Sequence, residues 1–360
     1  MSQHKIAHKT LLVMAGGTGG HIFPALAVAD VLRQRGWRVV WLGNPNGMEA
    51  KLVPAQGYEC AWVDFGAVRG KGLMRKLMLP VTLMRACLAA RRVMKEVRPD
   101  VVLGMGGYIT FPGGVMARFA GIPLVVHEQN AVAGLANKML SRIATRVLTG
   151  FPDTLPEAHW VGNPVRQDIA ELPEPALRFA ARPASDPLHV LVVGGSLGAQ
   201  ALNQNLPLAV AQLPANERPV VRHQTGAKDL VAVQSAYAGM DANADVHAFI
   251  NDMATAFAWA DLVVCRSGAL TVAELAAAGV ASVLVPFPYA VDDHQRVNAE
   301  FLVRGNAGHC VIQRELTIEN LAQLLRQSRE QLLQQATAAR ALARPEAAQT
   351  VANICEELAA

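Results

Sequence analysis

The chain has 360 residues, of which 52% are apolar and 17% charged, with a formal net charge of +4. This length exceeds what one hydrophobic core usually supports, so two domains are expected. The composition excludes a disordered chain, and the small net charge gives no argument for nucleic-acid binding. The five cysteines show no CxxC pair and no metal-ligand spacing, which indicates reduced thiols in a cytosolic protein.

The N-terminal region opens with a short apolar run, at residues 11–15. It is too short for the core of a signal peptide and predicts a strand, and no stretch in the chain approaches the ~20 apolar residues that cross a bilayer. The run leads into the glycine loop GGTGG at 16–20, a helical pattern closed by Gly36, and a second strand, RVVWLG. This order predicts a Rossmann-like βαβ unit with a parallel sheet.

Two further strands are predicted in the first half, in DVVLGMGGY (100–108) and PLVVHEQN (123–130). Ligands of open α/β sheets bind beyond the carboxyl ends of the strands. The strand ends in this half carry a group of polar side chains, namely Thr18, His21, Tyr108, Glu128 and Asn130. The sequence therefore predicts a ligand site at this edge.

The segment from Arg69 to Arg98, called here the basic–apolar segment, contains nine basic residues and one acid, Glu96, interleaved with leucine, methionine and valine. Basic residues around an apolar cluster favour contact with an anionic membrane surface. The alternative is an amphipathic helix packed on the sheet, which fits the part after Thr82. Aromatic residues for base stacking are absent, so no nucleic-acid partner is expected.

The second half repeats the opening unit, with a strand at 189–193, the glycine loop GGSLG at 194–198, a helical stretch from Ala199 and the strand PVVRHQ. A strand, turn and helix follow at 261–279, and another strand at 281–288. The proline-rich segment 172–187 is interpreted as the linker region, with the domain boundary near 163–166. Residues 317–360 are predicted to be helical.

Glycine loops at helix N-termini let backbone N–H groups approach an anion. Two such loops, with hydroxyls from Thr18 and Ser196, suit a diphosphate. Both loops fail the GxGxxG pattern, and neither is followed by the GK[ST] of a P-loop, which argues against a nicotinamide or flavin site. A third helix start, RSGALTVAE, places Glu274 where a carboxylate can accept both hydroxyls of a ribose, the alternative being an exposed helix glutamate, which the spacing alone favours.

The chain contains no D-x-D motif, so metal-independent chemistry is expected. The turn at 292–295 is compatible with a metal-binding pair or with a polar contact to a sugar. His21 directly follows the first loop at a strand's carboxyl end, which suits a general base near pH 7, the alternative being a structural histidine. His127 and Glu128, at another strand end, are rivals for that role.

These features occur together in seven long motifs, which are GGTGGHIFPALAVA, GMGGYITFPGG, HEQNAVAGLANK, VGNPVR, VVGGSLGAQALN, FINDMATAFAWADLVVCRSGALTVAE and PYAVDDHQRVNA. Between residues 11 and 308 the chain resembles the MurG family. The resemblance implies an α/β protein of the GT-B fold, with two Rossmann-like domains whose parallel sheets face a central cleft. It implies an N-terminal acceptor and membrane-associating domain at 1–165, a UDP-sugar-binding domain at 166–345, and a C-terminal helix at 346–360 that packs back on the first domain.

The resemblance also assigns roles to single residues. Thr18, Gly19 and Gly20 are implied to face the donor diphosphate and the acceptor, and His21 corresponds to the proposed base, with Glu128 as a helper. Asn130 would contact the sugar, Arg166 the nucleotide and Ser196 the phosphates. The backbone at Ile250 would recognise uracil, and Gln295 would bind hydroxyls of N-acetylglucosamine. Phosphate and ribose would be held by Ala269, Leu270, Thr271, Val272, Ala273 and Glu274.

The implied reaction is an inverting transfer of N-acetylglucosamine from UDP-N-acetylglucosamine to undecaprenyl-pyrophosphoryl-muramoyl-pentapeptide (lipid I), giving lipid II of peptidoglycan. The expected enzyme is a hexosyltransferase of cell-wall biogenesis, and so of cell shape and division. It would need no cofactor and would lie peripherally on the cytoplasmic face of the bacterial inner membrane. The alternatives are another UDP-sugar enzyme of this fold, such as a UDP-N-acetylglucosamine 2-epimerase, or a non-catalytic nucleotide-sugar sensor.

Overall fold

The computed structural model of the protein describes residues 9–65, 78–195, 198–240 and 242–360. The chain forms two compact units, one of Met1–Val165 with Glu346–Ala360 and the other of Arg166–Pro345. Two of the features predicted from the sequence, Ser196 and the 69–77 part of the basic–apolar segment, lie outside the described residues.

The first unit is built on a seven-stranded parallel sheet in the order β3-β2-β1-β4-β5-β6-β7. The strands are β1 Thr10–Ala15, β2 Arg38–Gly43, β3 Glu59–Trp62, β4 Val101–Gly106, β5 Leu124–Glu128, β6 Arg146–Thr149 and β7 His159–Trp160. The helices between them are α1 Gly19–Gln34, α2 Glu49–Ala55, α3 Leu79–Val97, α4 Thr110–Phe119 and α5 Leu135–Leu140. The order reverses between β1 and β4, the position where α/β sheets of this kind bind ligands.

Strand β1 lies at the centre of this unit, and every one of its residues is buried. Leu11 and Val13 pack into one hydrophobic cluster, whereas Leu12 and Met14 pack into another. Successive side chains of a strand point to opposite faces, so helices cover this sheet on both sides. That is why the strand is a continuous apolar run.

The second unit is built on a six-stranded parallel sheet in the order β10-β9-β8-β11-β12-β13. The strands are β8 His189–Val193, β9 Val220–Gln224, β10 Ala244–His247, β11 Leu262–Cys265, β12 Ala281–Leu284 and β13 Gly308–Cys310. The helices are α6 Gln167–Ala170, α7 Pro175–Ala180, α8 Gln200–Ala211, α9 Leu230–Ala238, α10 Met253–Trp259, α11 Ala269–Ala278, α12 His294–Arg304, α13 Ile318–Leu324 and α14 Arg329–Leu342. The order reverses between β8 and β11.

The ends of the second unit show how the chain enters and leaves it. The proline-rich segment 172–187, interpreted from the sequence as a linker, contains α7, which packs on α14 within the unit. The linker interpretation is wrong because prolines at a helix start do not prevent a helix, and Pro175 occupies that position. After α14, the chain forms a last helix, α15 Ala347–Leu358, which packs on α1 of the first unit.

Candidate active site

The two loops at the reversal point of the first sheet are in direct backbone contact. The Gly16 N–H donates to the Gly106 carbonyl over 3.3 Å. A Cβ atom on Gly107 would lie 2.4 Å from the Gly16 oxygen, and Gly107 has a φ of +91°. Only glycine satisfies both the close approach and the left-handed backbone. The glycines after β4 thus let its loop pack against the loop after β1.

The first turn of α1 forms an anion-binding geometry. Thr18 is the N-cap in an extended conformation, and its side chain makes no capping bond to the described first turn. The N–H groups of Gly19 and Gly20 begin the helix, where backbone donors have no intrahelical acceptor. No acidic residue occupies this turn. The helix dipole and these donors therefore favour a negatively charged ligand.

A buried carboxylate that sequence reasoning missed lies beneath this loop. Glu49 at the start of α2 is almost fully buried. Its carboxylate accepts hydrogen bonds from the N–H of Gly17 and the N–H of Asn44, each over 3.0 Å. Glu49 thereby ties the loop after β1 to the loop after β2. Its only signal in the sequence is an acidic residue at a helix start, which is too common to indicate this role.

His21 lies in the first turn of α1 and is half-buried. Its Nδ1 atom is 2.8 Å from Oε1 of Gln129, which follows β5. The imidazole rests on the backbone of Gly106, where a Cβ atom would lie 2.6 Å from Nδ1. Strands β1, β4 and β5 therefore all contribute to holding this ring at the carboxyl edge of the sheet.

The two rivals of His21 are engaged elsewhere. His127 is fully buried, and burial lowers its pKa to about 4. Its Nε2 contacts the Gly162 carbonyl oxygen, and its Nδ1 contacts Nε2 of Gln129. Glu128 is also buried, and its carboxylate accepts from the N–H groups of Asn130 and Gly134, at 2.9 and 3.0 Å, and from the side-chain amide of Asn137 at 2.9 Å. The Glu128 carboxylate organises the loop that carries Asn130.

The second unit has a corresponding glycine turn after β8. Gly195 and Gly198 have φ angles of +84° and +77°. A Cβ atom on Gly198 would lie 2.1 Å from the Thr225 carbonyl oxygen, because this turn packs against the end of β9. The turn leads into α8, whose first turn has no acidic residue. The backbone at this position is again suited to an anion.

Gln224, at the end of β9, was not identified from the sequence. Its Oε1 accepts from the Ile250 N–H over 2.9 Å, and its Nε2 donates to the Gly195 carbonyl over 3.1 Å. One buried side chain therefore connects the glycine turn with the backbone expected to recognise uracil. The Ile250 N–H is already used in this contact.

Helix α11 begins at Ala269, with Gly268 as its N-cap and no acidic residue in its first turn. Glu274 lies one turn further along. Burial raises the pKa of Glu274 to about 7. The positive charge of Arg166 opposes this increase, whereas the negative charge of Asp168 adds to it. Arg166 is 3.6 Å from Asp168 at the start of α6, which packs on α11. The structure thus brings Arg166 and Glu274 into one neighbourhood.

Gln295 lies in the first turn of α12, and its Oε1 accepts from the Phe287 N–H over 2.9 Å. The turn before it carries Asp292 and Asp293, both with positive φ angles. Asp293 forms an ion pair with Arg296. In the described parts of the chain, no three His, Cys, Asp or Glu side chains come together in a way that could hold a metal ion.

The predicted residues fall into two sets, one on each sheet. The glycine loops of both sets lie after the central strand of their sheet and lead into helices without an acidic residue in the first turn. Two parallel α/β units, each with a glycine loop before a helix start at such an edge, are the arrangement expected of a nucleotide-binding protein.

Comparisons with known proteins agree with this class. Residues 11–149 match the glycosyltransferase family 28 N-terminal domain, and residues 189–357 match the glycosyltransferase family 28 C-terminal domain. The crystal structure of Acinetobacter baumannii MurG superposes with a TM-score of 0.86 at 45% identity, covering 97% of this chain and 99% of that one.

Two curated relatives are similar over nearly their whole length. One from Aromatoleum aromaticum is 61% identical, with 98% of each chain covered. One from Dechloromonas aromatica is 57% identical, with 98% of this chain and 99% of the relative covered. Both are named UDP-N-acetylglucosamine--N-acetylmuramyl-(pentapeptide) pyrophosphoryl-undecaprenol N-acetylglucosamine transferase. The chain belongs to glycosyltransferase family 28 and, within it, to the MurG family, which confirms the resemblance and the predicted GT-B fold class.

Proposed function

We propose that the protein transfers N-acetylglucosamine from UDP-N-acetylglucosamine to the 4-hydroxyl of the muramoyl group of lipid I, with inversion, and so makes lipid II for peptidoglycan. The observation that carries the proposal is His21, whose Nδ1 is held by Gln129 at the edge of the sheet. A ring fixed through one nitrogen directs its other nitrogen toward a substrate, as a general base requires. The names of the full-length relatives support the same reaction.

The donor is assigned to the second unit. The diphosphate would lie at Ser196 and at the first turn of α11, formed by Ala269, Leu270, Thr271, Val272 and Ala273. Glu274 would accept hydrogen bonds from the two ribose hydroxyls, and Arg166, beside it, would contribute positive charge. The Ile250 carbonyl would accept from uracil, and Gln295 would bind hydroxyls of the sugar.

The acceptor and the chemistry are assigned to the first unit. The acceptor oxygen attacks the anomeric carbon as the bond from that carbon to the β-phosphate oxygen breaks. The hydroxyl proton moves to Nε2 of His21, and UDP leaves with the bonding electrons. Negative charge grows on the departing diphosphate, and the N-terminus of α11 would stabilise it there, where preorganised dipoles contribute most. Thr18, Gly19 and Gly20, at the start of α1, would present donors to an anionic group of the substrates.

Glu128 and Asn130 are given linked roles. Four hydrogen bonds occupy the Glu128 carboxylate, three from the following loop, including a longer one of 3.4 Å from the Asn130 amide, and one from Asn137 in α5. We therefore propose that Glu128 positions Asn130 for contact with the sugar and does not itself take the proton. This revises the helper role that the family resemblance implied.

Contact with a membrane surface is proposed for α3. One side of this helix packs in the core through Ala86, Ala90 and Val97, and the helix contacts α4. Its outer side exposes Met84 at 58% and Leu88 at 51%, near a group of exposed basic side chains, Arg85, Arg91, Arg92 and Lys95. Such a surface suits anionic headgroups, and the enzyme would bind peripherally at the inner membrane's cytoplasmic face. In the described residues, no helix is long and apolar enough to cross a bilayer.

The membrane proposal is tested by flotation with vesicles that contain an anionic lipid. Replacing Met84 and Leu88 with Glu should reduce the bound fraction, because both apolar contact and charge attraction are lost. The same change at Val231, which is 74% exposed on the second unit, is the control and should leave binding unchanged. Equal binding by all variants would contradict the proposal.

The role of His21 is tested by replacing it with Ala. Single-turnover transfer should slow by about 10²- to 10⁴-fold, the usual contribution of a general base, while the Kd for UDP-N-acetylglucosamine changes little. Normal turnover in this variant would remove His21 from the mechanism. An epimerase would convert the donor without any lipid acceptor, and a sensor would bind the donor but release no UDP when acceptor is added.

A further inference from the structure

The side chain of Gln129 connects two histidines that are far apart in sequence. Its Oε1 lies 2.8 Å from Nδ1 of His21, and its Nε2 lies 3.0 Å from Nδ1 of His127. The same Nε2 lies 2.9 Å from the main-chain oxygen of His127. Gln129 is buried, and its main-chain carbonyl accepts a hydrogen bond from the Asn163 side-chain amide over 2.9 Å. The glutamine is therefore held from several sides.

These contacts determine which way the Gln129 amide faces. A main-chain carbonyl oxygen can only accept a hydrogen bond, so the Gln129 atom 2.9 Å from His127 O must be the NH₂ group. The reversed amide would place two oxygen atoms against each other in a buried site, which is unfavourable because neither oxygen can donate a hydrogen bond. The amide oxygen therefore faces His21.

The direction of the amide fixes the proton on His21. An amide oxygen can only accept, so Nδ1 of His21 must carry the hydrogen in their 2.8 Å contact. A neutral imidazole has one N–H, so Nε2 has the lone pair. Within the described part of the first unit, no hydrogen bond to this Nε2 is present. The nitrogen that can accept a proton is the one that faces away from Gln129.

His127 has the proton arrangement that this chain of contacts requires. Its Nε2 is 2.9 Å from the Gly162 carbonyl and must donate to it. Burial lowers the pKa of His127 to about 4, so the ring is neutral near pH 7 and its Nδ1 is an acceptor. That acceptor receives the second hydrogen of the Gln129 amide. The hydrogen bonds that join the Gly162 carbonyl, His127, Gln129 and His21 thus have consistent donors and acceptors.

We propose that Gln129, supported by His127, is a positioning residue that holds neutral His21 in the Nδ1–H tautomer, with the Nε2 lone pair ready to take the acceptor's proton. The inference rests on the proposed function of His21 as the base. In the opposite tautomer, Nε2 would carry a hydrogen and could not accept a proton. The close packing of the ring on Gly106 keeps Nδ1 directed at Gln129.

The tautomer is measured directly by NMR of the full-length protein labelled with ¹⁵N-histidine, at a pH where His21 is neutral. One-bond N–H correlations identify the protonated nitrogen, and the H21A variant assigns the signals. The expected result for the wild type is a protonated Nδ1 and an unprotonated Nε2. A protonated Nε2 of His21 in the wild type would overturn the proposal, and the tautomer itself is measured on the unaltered protein.

Replacement of Gln129 tests the consequence for catalysis. Q129M has a similar length but offers no acceptor to His21, so a mixture of tautomers is expected. Its kcat should fall about tenfold or more, less than the loss from removing the base, while KM for UDP-N-acetylglucosamine stays within about twofold.

The outcomes separate this inference from the function on which it rests. An unchanged tautomer and an unchanged kcat in Q129M would overturn the positioning role. Normal turnover in H21A, together with the Nδ1–H signal in the wild type, would instead refute the base and leave the tautomer assignment in place. A merely structural role for Gln129 would lower the unfolding temperature without changing the tautomer, and that result would also count against the proposal.

Discussion

The pH dependence of donor binding is expected to depend on one carboxyl group, Glu274. Burial raises the pKa of Glu274 to about 7, even though the positive charge of Arg166 opposes the increase. To accept hydrogen bonds from both ribose hydroxyls, this side chain must be ionised. The donor therefore binds the form that predominates only above about pH 7.

The expected size of the effect follows from this pKa. The ionised fraction of Glu274 rises about tenfold between about pH 6 and about pH 8, so the Kd for UDP-N-acetylglucosamine should fall by about the same factor. The diphosphate of this donor is esterified at both ends and does not titrate in that range. Isothermal titration calorimetry in buffers of different ionisation enthalpy should also detect proton release on binding near pH 7.

The matched variant is E274Q, whose side chain does not titrate. Its Kd should show little change over the same pH range, and at about pH 8 it should exceed that of the wild type. If E274Q retained the same slope of Kd against pH, another group would be responsible and the reasoning about Glu274 would be refuted.

The same carboxyl group affects stability in the opposite direction. Because the pKa of Glu274 rises from 4.5 to about 7 on folding, the folded protein holds this proton more tightly than the unfolded chain. The neutral Glu274 carboxyl therefore contributes to the stability of the fold. This contribution is fully present below about pH 4.5 and is lost as pH rises through about 7. At about 1.4 kcal/mol per tenfold change in proton affinity, the loss is at most about 3.5 kcal/mol. E274Q should therefore unfold at a higher temperature than the wild type at about pH 8.

Two further predictions concern the loops around the site. Gly198→Ala should lower the unfolding temperature far more than Gly195→Ala. Both glycines have positive φ angles, but only a Cβ atom at Gly198 would collide with the Thr225 oxygen, at 2.1 Å. Similar unfolding temperatures for the two variants would contradict this. Glu128→Gln should reduce the free energy of unfolding by about 1–3 kcal/mol, since its new NH₂ group faces loop donors and leaves them unsatisfied; a variant as stable as the wild type in urea would contradict it.

Much of the fold could be predicted because its signals are local. Strand β1 is a continuous apolar run followed by glycines, and β8 repeats that pattern. Helix α11 begins after Gly268 and ends at Gly279, which has the left-handed backbone typical of a helix end. By contrast, the linker predicted at 172–187 is wrong, because whether prolines begin a helix or extend a linker depends on packing partners elsewhere in the chain.

The site residues that sequence reasoning missed act through distant partners. Gln129 contacts His21 across 108 positions of the sequence, and Gln224 contacts the Ile250 backbone across 26. Glu49 reaches back 32 positions to Gly17. A glutamine or glutamate has no local pattern that reveals such a contact. Only the meeting of strand ends at one edge of the sheet makes these roles visible.

The central claim is the transfer of N-acetylglucosamine to a lipid-linked muramoyl acceptor with inversion, and the most direct test is to analyse the product. The full-length protein is incubated with UDP-N-acetylglucosamine and lipid I, with and without excess chelator. We expect one UDP released for each lipid-linked disaccharide, a β linkage in its NMR spectrum, and the same yield with chelator present. An α linkage, or donor turnover without the disaccharide, would contradict the proposed reaction, and loss of product with chelator that magnesium restores would contradict its metal independence.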